Sequence, residues 1–329
     1  MPRKRVYVTR QFPGKGLGIL SRHCDILINE KETPPSRGEM IRNVRGVDGI
    51  LCMLSDRIDR KVMEAAGPQL QVISSYSTGF EHIDVSEATS RRICVTFTAD
   101  ILAEAAADLT FALVLACARR LVAGDKLVRA GKWKVGWTPD LLLGTDVYGM
   151  TLGIVGLGRI GSAVARRAKG FGMHVLYNNR SRDEAKELQL GVKYARLEAL
   201  LSQSDFVCIH TSLNKSNVHM IDMSAFKKMK QTAYLINTSR GQVVDERALI
   251  RALRQRRIAG AGLDVYEREP LPRSSPLLRL DNVILLPHIG SATLQTRSMM
   301  GEVAAQNLID VLEGRKPQDR FVVNPEVLV

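Results

Sequence analysis

Acidic residues are scarce in this chain: 34 Asp and Glu stand against 47 Lys and Arg, for a formal charge of +13 over 329 residues. The surplus cations are scattered. The densest runs, Arg3-Lys4-Arg5 and Arg254 to Arg257, are short and carry no interleaved aromatics, and no DNA or RNA motif appears. Nucleic acid is therefore disfavoured as a partner. The simpler reading is solvated helix faces rich in Arg, with some focusing of the field toward an anionic small molecule. None of the five cysteines, Cys24, Cys52, Cys94, Cys117 and Cys208, lies in a C-x-x-C, and most fall in apolar runs. They read as buried, reduced thiols of an intracellular protein, with no metal-ligating set among them. No apolar stretch approaches a membrane span, and Arg3-Lys4-Arg5 leads straight into a short strand where a secretory leader would be apolar. A cytoplasmic protein is expected. Repeats and low-complexity tracts are missing as well.

What is present begins with Met150 to Asn179. Leu152 to Val155 is a short buried-strand run, followed by Gly156-x-Gly158-x-x-Gly161. Ile160, Ala163, Val164, Ala168 and Phe171 then recur at helical spacing, Gly172 stops the helix, and His174 to Tyr177 reads as a second strand. In that context the glycines have separate tasks. Gly156 allows the tight turn, Gly158 lets a pyrophosphate approach the backbone, and Gly161 lets helix pack on strand. The helix N-terminus, with Arg159 and Ile160 opening it, would hold the phosphates.

The rest of the chain alternates strands and helices, which predicts parallel sheets covered on both faces. The length favours two domains. The N-terminal part shows five strands: residues 5–9, 24–29, 49–54, 71–75 and 93–96. Gly14 to Gly18 reads as a loop or weak helix start, and Ala99 to Leu121 as one long buried helix that crosses into the second domain. Six strands between 152 and 287 make a second doubly wound sheet. The tail, Ala292 to Gly314, is a helix long enough to return to the first domain. Residues 133–143 are irregular and carry both tryptophans, Trp133 and Trp137, which suits packing on a second subunit or local packing equally.

A site for NAD places an acid at the end of the second strand, where it binds the ribose hydroxyls. Here that position is Asn179, followed by Arg180-Ser181-Arg182. A neutral amide does not repel a 2′-phosphate, and two guanidinium groups flanking a hydroxyl suit one. NADP(H) is expected to be preferred, with NAD(H) the alternative.

Three further loops sit at predicted strand ends: Ile236 to Gly241, containing Thr238, Ser239 and Arg240; Gly262 to Pro270, containing Asp264 and Glu269; and Leu286 to Thr293, containing His288, Ile289 and Gly290. All should converge on the edge that carries the glycine turn. Reducing a 2-oxo acid needs a cation to hold the carboxylate and polarise the carbonyl, which Arg240 can supply. It needs a proton donor, which His288 can supply, and a carboxylate beside that imidazole, which Glu269 can supply. Each has an ordinary structural explanation singly, but their convergence beside a cofactor turn makes the joint coincidence poor. At the end of the fourth strand, Ser77-Thr78-Gly79 could form a backbone nest for a carboxylate.

The motifs G-L-G-R-I-G, S-R-G, G-L-D-V-x-E-x-E-P and P-H-I-G-S-A-T together resemble the D-isomer-specific 2-hydroxyacid dehydrogenases over nearly the whole chain. The likeness is strongest to the glyoxylate/hydroxypyruvate reductase branch, including the archaeal glyoxylate reductases; Val6 to Arg10, Leu54 to Asp59 and Asp146 to Gly149 add to it. The resemblance implies a Rossmann dinucleotide domain, residues 100–290, inserted into a flavodoxin-like substrate domain, residues 1–99 plus 291–329. It implies Arg240, Glu269 and His288 as the catalytic set. Leu54, Ser77, Thr78 and Gly79, with Arg240 and His288, would bind substrate. The cofactor would contact the glycine turn, the 179–182 loop, Thr238 to Gly241, Asp264 (at the nicotinamide carboxamide) and His288 to Gly290. A homodimer through the second domain and the Trp133–Trp137 loop, and closure of the domains on a small 2-oxo acid, are also implied. Two departures stand out. His210-Thr-Ser-Leu213 lacks the proline of the usual H-C-P-L, and Glu81-His82, expected to lie beyond the substrate, replaces Asp-Asn. Absence of a C-terminal regulatory domain argues against phosphoglycerate dehydrogenase, and Glu269 against formate dehydrogenase. The competing class is a dehydrogenase-fold corepressor or nucleic-acid-binding protein, supported by the basic charge alone.

Overall fold

The computed structural model describes residues 3–328. The chain divides into two compact units, one holding the residues up to Leu102 together with those from Ser291 onward, the other Ala103–Gly290.

In the first unit the strands are β1 (Lys4–Val8), β2 (Cys24–Ile28), β3 (Gly49–Cys52), β4 (Val72–Ser75) and β5 (Cys94–Thr96), interleaved with α1 (Gly16–His23), α2 (Arg37–Asn43), α3 (Arg60–Ala66) and α4 (Val85–Ser90). They form one sheet in the order β2-β1-β3-β4-β5, parallel throughout. This is the flavodoxin-like order. Every residue of β3 and β4 is buried, as strands covered on both faces must be. Short polar side chains start the helices. Ser36 and Glu39 make a reciprocal capping box on α2, and Asp59 and Asp84 cap α3 and α4, each satisfying an amide that has no partner within its helix. The Gly14 to Gly18 stretch is more ordered than expected, since α1 begins at Gly16.

The second unit opens with α5 (Ala103–Ala118) and α6 (Leu121–Arg129). The single long helix expected over Ala99 to Leu121 is therefore shorter. Asp100 has φ +68° and Arg120 φ +52°, and the Ala118 carbonyl is taken by the Thr145 amide at 2.8 Å, so no further turn can form there. The alternation then runs β6 (Thr151–Val155), α7 (Arg159–Gly170), β7 (His174–Asn178), α8 (Glu184–Leu190), β8 (Lys193–Tyr194), α9 (Leu197–Gln203), β9 (Phe206–Ile209), α10 (Met223–Lys228), β10 (Tyr234–Asn237), α11 (Glu246–Arg254), β11 (Gly260–Leu263) and β12 (Val283–Leu285). The sheet order is β12-β11-β10-β9-β6-β7-β8, again parallel. The strand order reverses beside β6, which is where open sheets bind ligands. The sheet has seven strands where the sequence suggested six. The extra one, β8, is a two-residue edge strand, too short for any periodic signal.

The chain then returns to the first unit as α12 (Leu294–Leu312), which packs on α1 and β4. Ser74 Oγ donates to the Ala304 carbonyl at 2.8 Å. The tail is pinned too: the Asn324 side chain accepts from the Val95 amide at 2.8 Å and donates to the Ile93 carbonyl at 2.9 Å.

Candidate active site

The glycine turn has the geometry its three positions demand. Gly156 sits at φ +102°, and a Cβ there would lie 2.7 Å from the His210 carbonyl carbon. A Cβ on Gly161 would lie 2.1 Å from the Gly156 carbonyl oxygen, whereas one on Gly158 would meet nothing within 4 Å. The first and third glycines are thus required by packing. The second leaves room on the approach to the N-terminus of α7, which has no side-chain cap. That combination fits a pyrophosphate on the first amides of α7.

Asn179 follows β7, and its Oδ1 accepts the Leu157 amide at 2.7 Å. The residue therefore ties the glycine turn to β7 and keeps its Nδ2 as a donor. Arg180 and Ser181 are exposed, and Arg180 makes no ion pair or hydrogen bond among the described residues. Arg182 does not stand open beside it. Its guanidinium grips Glu187, Nε to Oε1 at 2.8 Å and Nη2 to Oε2 at 2.9 Å, and this bond raises its pKa further. The first acid beyond Asn179, Asp183, accepts the Lys186 amide at 3.1 Å as the cap of α8.

Arg240, Glu269 and His288 are brought together by backbone packing. A Cβ on Gly241 would lie 1.9 Å from the Tyr266 carbonyl carbon, so the loop after β10 rests directly on the loop after β11. Asn237 shapes the first loop: its Nδ2 donates to the Arg240 carbonyl at 3.0 Å and its Oδ1 accepts the Ser239 amide at 3.1 Å. The Thr238 hydroxyl is turned inward, 2.8 Å from Thr110 Oγ1 on α5. At the third loop, Asp264 is fully buried and accepts the amides of Ile289 and Gly290, each at 2.8 Å, while its carbonyl accepts the His288 amide at 2.9 Å. These bonds hold His288 in the left-handed region at φ +54°. Burial raises the Asp264 carboxyl pKa, against those amide bonds and the nearby imidazole.

The result is a 2.7 Å contact between His288 Nδ1 and Glu269 Oε2, both side chains about one-third exposed. Oε1 of Glu269 accepts the Tyr266 amide at 3.1 Å. Burial pushes the Glu269 carboxyl up, but the bonds from His288 and Tyr266 and the charge of Arg240 outweigh it and leave the pKa below its usual value. An ionised Glu269 accepts only, so Nδ1 carries the proton and Nε2 is the end left for chemistry.

In the first unit, Ser77-Thr78-Gly79 follows β4. The amides of Ser77, Thr78, Gly79 and Phe80 make no hydrogen bond among the described residues, which leaves four successive donors. Several features were not legible in the sequence: Asn237 as the organiser of the Arg240 loop, Thr110 behind Thr238, and a polar chain from Ser77 through Ser75 to His82 behind the turn after β4. His82, expected to lie beyond the substrate, forms part of that chain. Among the described residues no group of His, Cys, Asp and Glu could hold a metal.

A parallel doubly wound sheet, a glycine turn shaped for a dinucleotide and a His–Glu pair with an Arg on the neighbouring loop define a nicotinamide-type dehydrogenase. Residues 111–290 match the model of the D-isomer specific 2-hydroxyacid dehydrogenase, NAD binding domain, and the chain belongs to that family. It is 51% identical to a glyoxylate reductase of Korarchaeum cryptofilum over 98% of this chain and 97% of the relative. A glyoxylate reductase of Pyrococcus furiosus is 47% identical over 98% and 96%. Among solved structures, an NADPH-dependent glyoxylate/hydroxypyruvate reductase of Sinorhizobium meliloti, in complex with NADP and malonate, superposes with a TM-score of 0.83 at 32% identity, covering 98% of this chain and 99% of that one. A Thermus thermophilus protein reaches 0.91 at 45% identity, covering 97% and 99%.

Proposed function

We propose that this protein reduces glyoxylate, and hydroxypyruvate with it, to the corresponding 2-hydroxy acid, using NADPH in preference to NADH. The observation that carries the reading is the 2.7 Å His288–Glu269 pair on a loop cluster shared with Arg240, and the relatives named glyoxylate reductase support the substrate. The bound nicotinamide supplies a hydride to C2 of the 2-oxo acid. Arg240 binds the substrate carboxylate and polarises the carbonyl. As negative charge grows on the carbonyl oxygen, His288 Nε2 gives it a proton, and Glu269 stabilises the imidazolium beforehand. In the first unit, Leu54, Ser77, Thr78 and Gly79 are the proposed substrate-binding residues, the last three through backbone amides that suit a carboxylate. Asp264 and the backbone at 238–241 and 288–290 orient the nicotinamide half.

The preference for NADP(H) rests on Asn179, Arg180 and Ser181. An amide donor, a guanidinium and a hydroxyl face no acid at the position where one would repel a 2′-phosphate. Rates of NADPH and NADH oxidation with glyoxylate, hydroxypyruvate and pyruvate test both parts. No turnover with any small 2-oxo acid, together with salt-sensitive retardation of nucleic acid, would instead support a corepressor of the same fold.

A homodimer is part of the proposal. It is supported by Trp133, Val135 and Trp137, which are 52, 82 and 83% exposed close together in one loop, since exposed apolar clusters mark interaction surfaces. Sedimentation should give a dimer that Trp137→Ser weakens; a monomeric wild type removes this part. The five buried free thiols support a reducing, cytoplasmic setting.

A further inference from the structure

The turn after β4 is backed by a buried row of polar atoms. Ser77 Oγ bonds the Gly79 carbonyl oxygen. Ser75 Oγ lies 2.8 Å from Ser77 Oγ, and His82 Nε2 lies 3.2 Å from Ser75 Oγ. Ser75 and Ser77 are 0 and 6% exposed, so water does not share these bonds.

Counting protons fixes the direction of the row. A carbonyl only accepts, so the single Ser77 hydroxyl proton goes to Gly79. Ser77 must then accept from Ser75, whose one proton is spent in turn. Ser75 must accept from His82 at 3.2 Å, so Nε2 carries a proton, and Cys52 Sγ, 3.8 Å from the same nitrogen, then faces it as a weak acceptor. The row reads His82 Nε2–H to Ser75, Ser75 to Ser77, Ser77 to the Gly79 carbonyl. Its terminus sets the plane of the 79–80 peptide. With that carbonyl drawn inward, the trans amide of Phe80 points the opposite way. The Ser77 and Phe80 carbonyls are likewise taken, by the amides of Thr98 at 2.9 Å and Ile83 at 3.0 Å, so three of the turn's four carbonyls are held.

We propose that His82, through its Nε2 proton, is a positioning residue that holds the 77–80 amides in their anion-binding arrangement. The proposal rests on the reading of that turn as the substrate's carboxylate site. A misaligned nest weakens binding in the ground state and transition state alike, so the effect falls on KM.

The test uses the full-length protein and glyoxylate. His82→Leu, which fills the space without a donor, should raise KM about tenfold or more while kcat stays within about twofold and NADPH affinity is unchanged. His82→Gln, whose Nε2 can reach the same point, should restore KM. Nitrogen-15 NMR should show His82 protonated at Nε2. A bare Nε2, or a His82→Leu enzyme with unaltered KM, would overturn the proposal, and so would a KM that His82→Gln leaves as high as Leu does. If the wild type turns over no 2-oxo acid, the reading of the turn fails, and the NMR result still decides the proton row.

Discussion

Glu269 and His288 are 19 positions apart in the chain, yet Oε2 of one meets Nδ1 of the other at 2.7 Å. The backbone that carries the imidazole is held by Asp264, whose carboxylate takes the two amides that follow it, those of Ile289 and Gly290. An acid buried under the turn sets the backbone, and a second acid beside it sets the ring. His288→Ala should lower kcat/KM by about 10²- to 10⁴-fold, the usual worth of a positioned general acid, with NADPH binding by fluorescence intact. Glu269→Gln should fall in the same direction by less. Retained turnover in His288→Ala would remove it as the proton donor.

Arg180 and Arg182 should behave differently, although the sequence treats them as a pair. Arg180→Ala should weaken NADPH by roughly 10- to 100-fold, the loss of one charge-assisted phosphate bond, and leave NADH nearly unchanged. Arg182→Ala should cost NADPH much less, because its guanidinium is already bound to Glu187. Equal losses for NADPH and NADH in Arg180→Ala would dismiss the 2′-phosphate assignment.

The glycine turn gives a second contrast. Gly161→Ala forces a methyl against the Gly156 carbonyl, an overpacking that should destabilise the second unit by about 1–3 kcal/mol and appear as a lower Tm. Gly158→Ala meets empty space, so Tm should hold while affinity for either dinucleotide falls. A Gly158→Ala protein that binds cofactor normally would argue against a pyrophosphate at that point.

His210 predicts a pH dependence of stability. Both ring nitrogens are buried without partners, and burial pulls the pKa from 6.5 down to about 4. The unfolded chain then binds the proton more readily than the folded one. Stability is complete above about pH 6.5 and is lost as pH falls toward 4, by roughly 3 kcal/mol in all. Urea titrations of wild type and His210→Gln between these limits should show that slope in the first and a flatter one in the second. Parallel slopes would place the acid sensitivity elsewhere.

Much of this protein was written in local pattern. The two parallel sheets follow from apolar runs of strand length alternating with helical spacing, and the glycine turn follows from residue type at fixed offsets. The motif residues Arg240, Glu269 and His288 were legible because each follows a strand, and parallel strands deliver their C-terminal loops to one edge. Where signals were too short or depended on a distant partner, the pattern ran out. The two-residue β8 has no period, and the end of α5 depends on Thr145, far along the chain.

The sequence by itself determined the elements, the class of fold and the chemical types at the site, since those depend on hydrophobic periodicity and on the side chains available. Only the tertiary structure decided the bonds: Arg182 committed to Glu187, Asn179 spending its oxygen on Leu157, and His82 standing behind Ser75. Hydrogen bonds fall off within fractions of an ångström and with angle, and their partners are chosen by how strands and loops pack across tens of residues. Residue type says what a group can donate or accept; the packed fold says to whom.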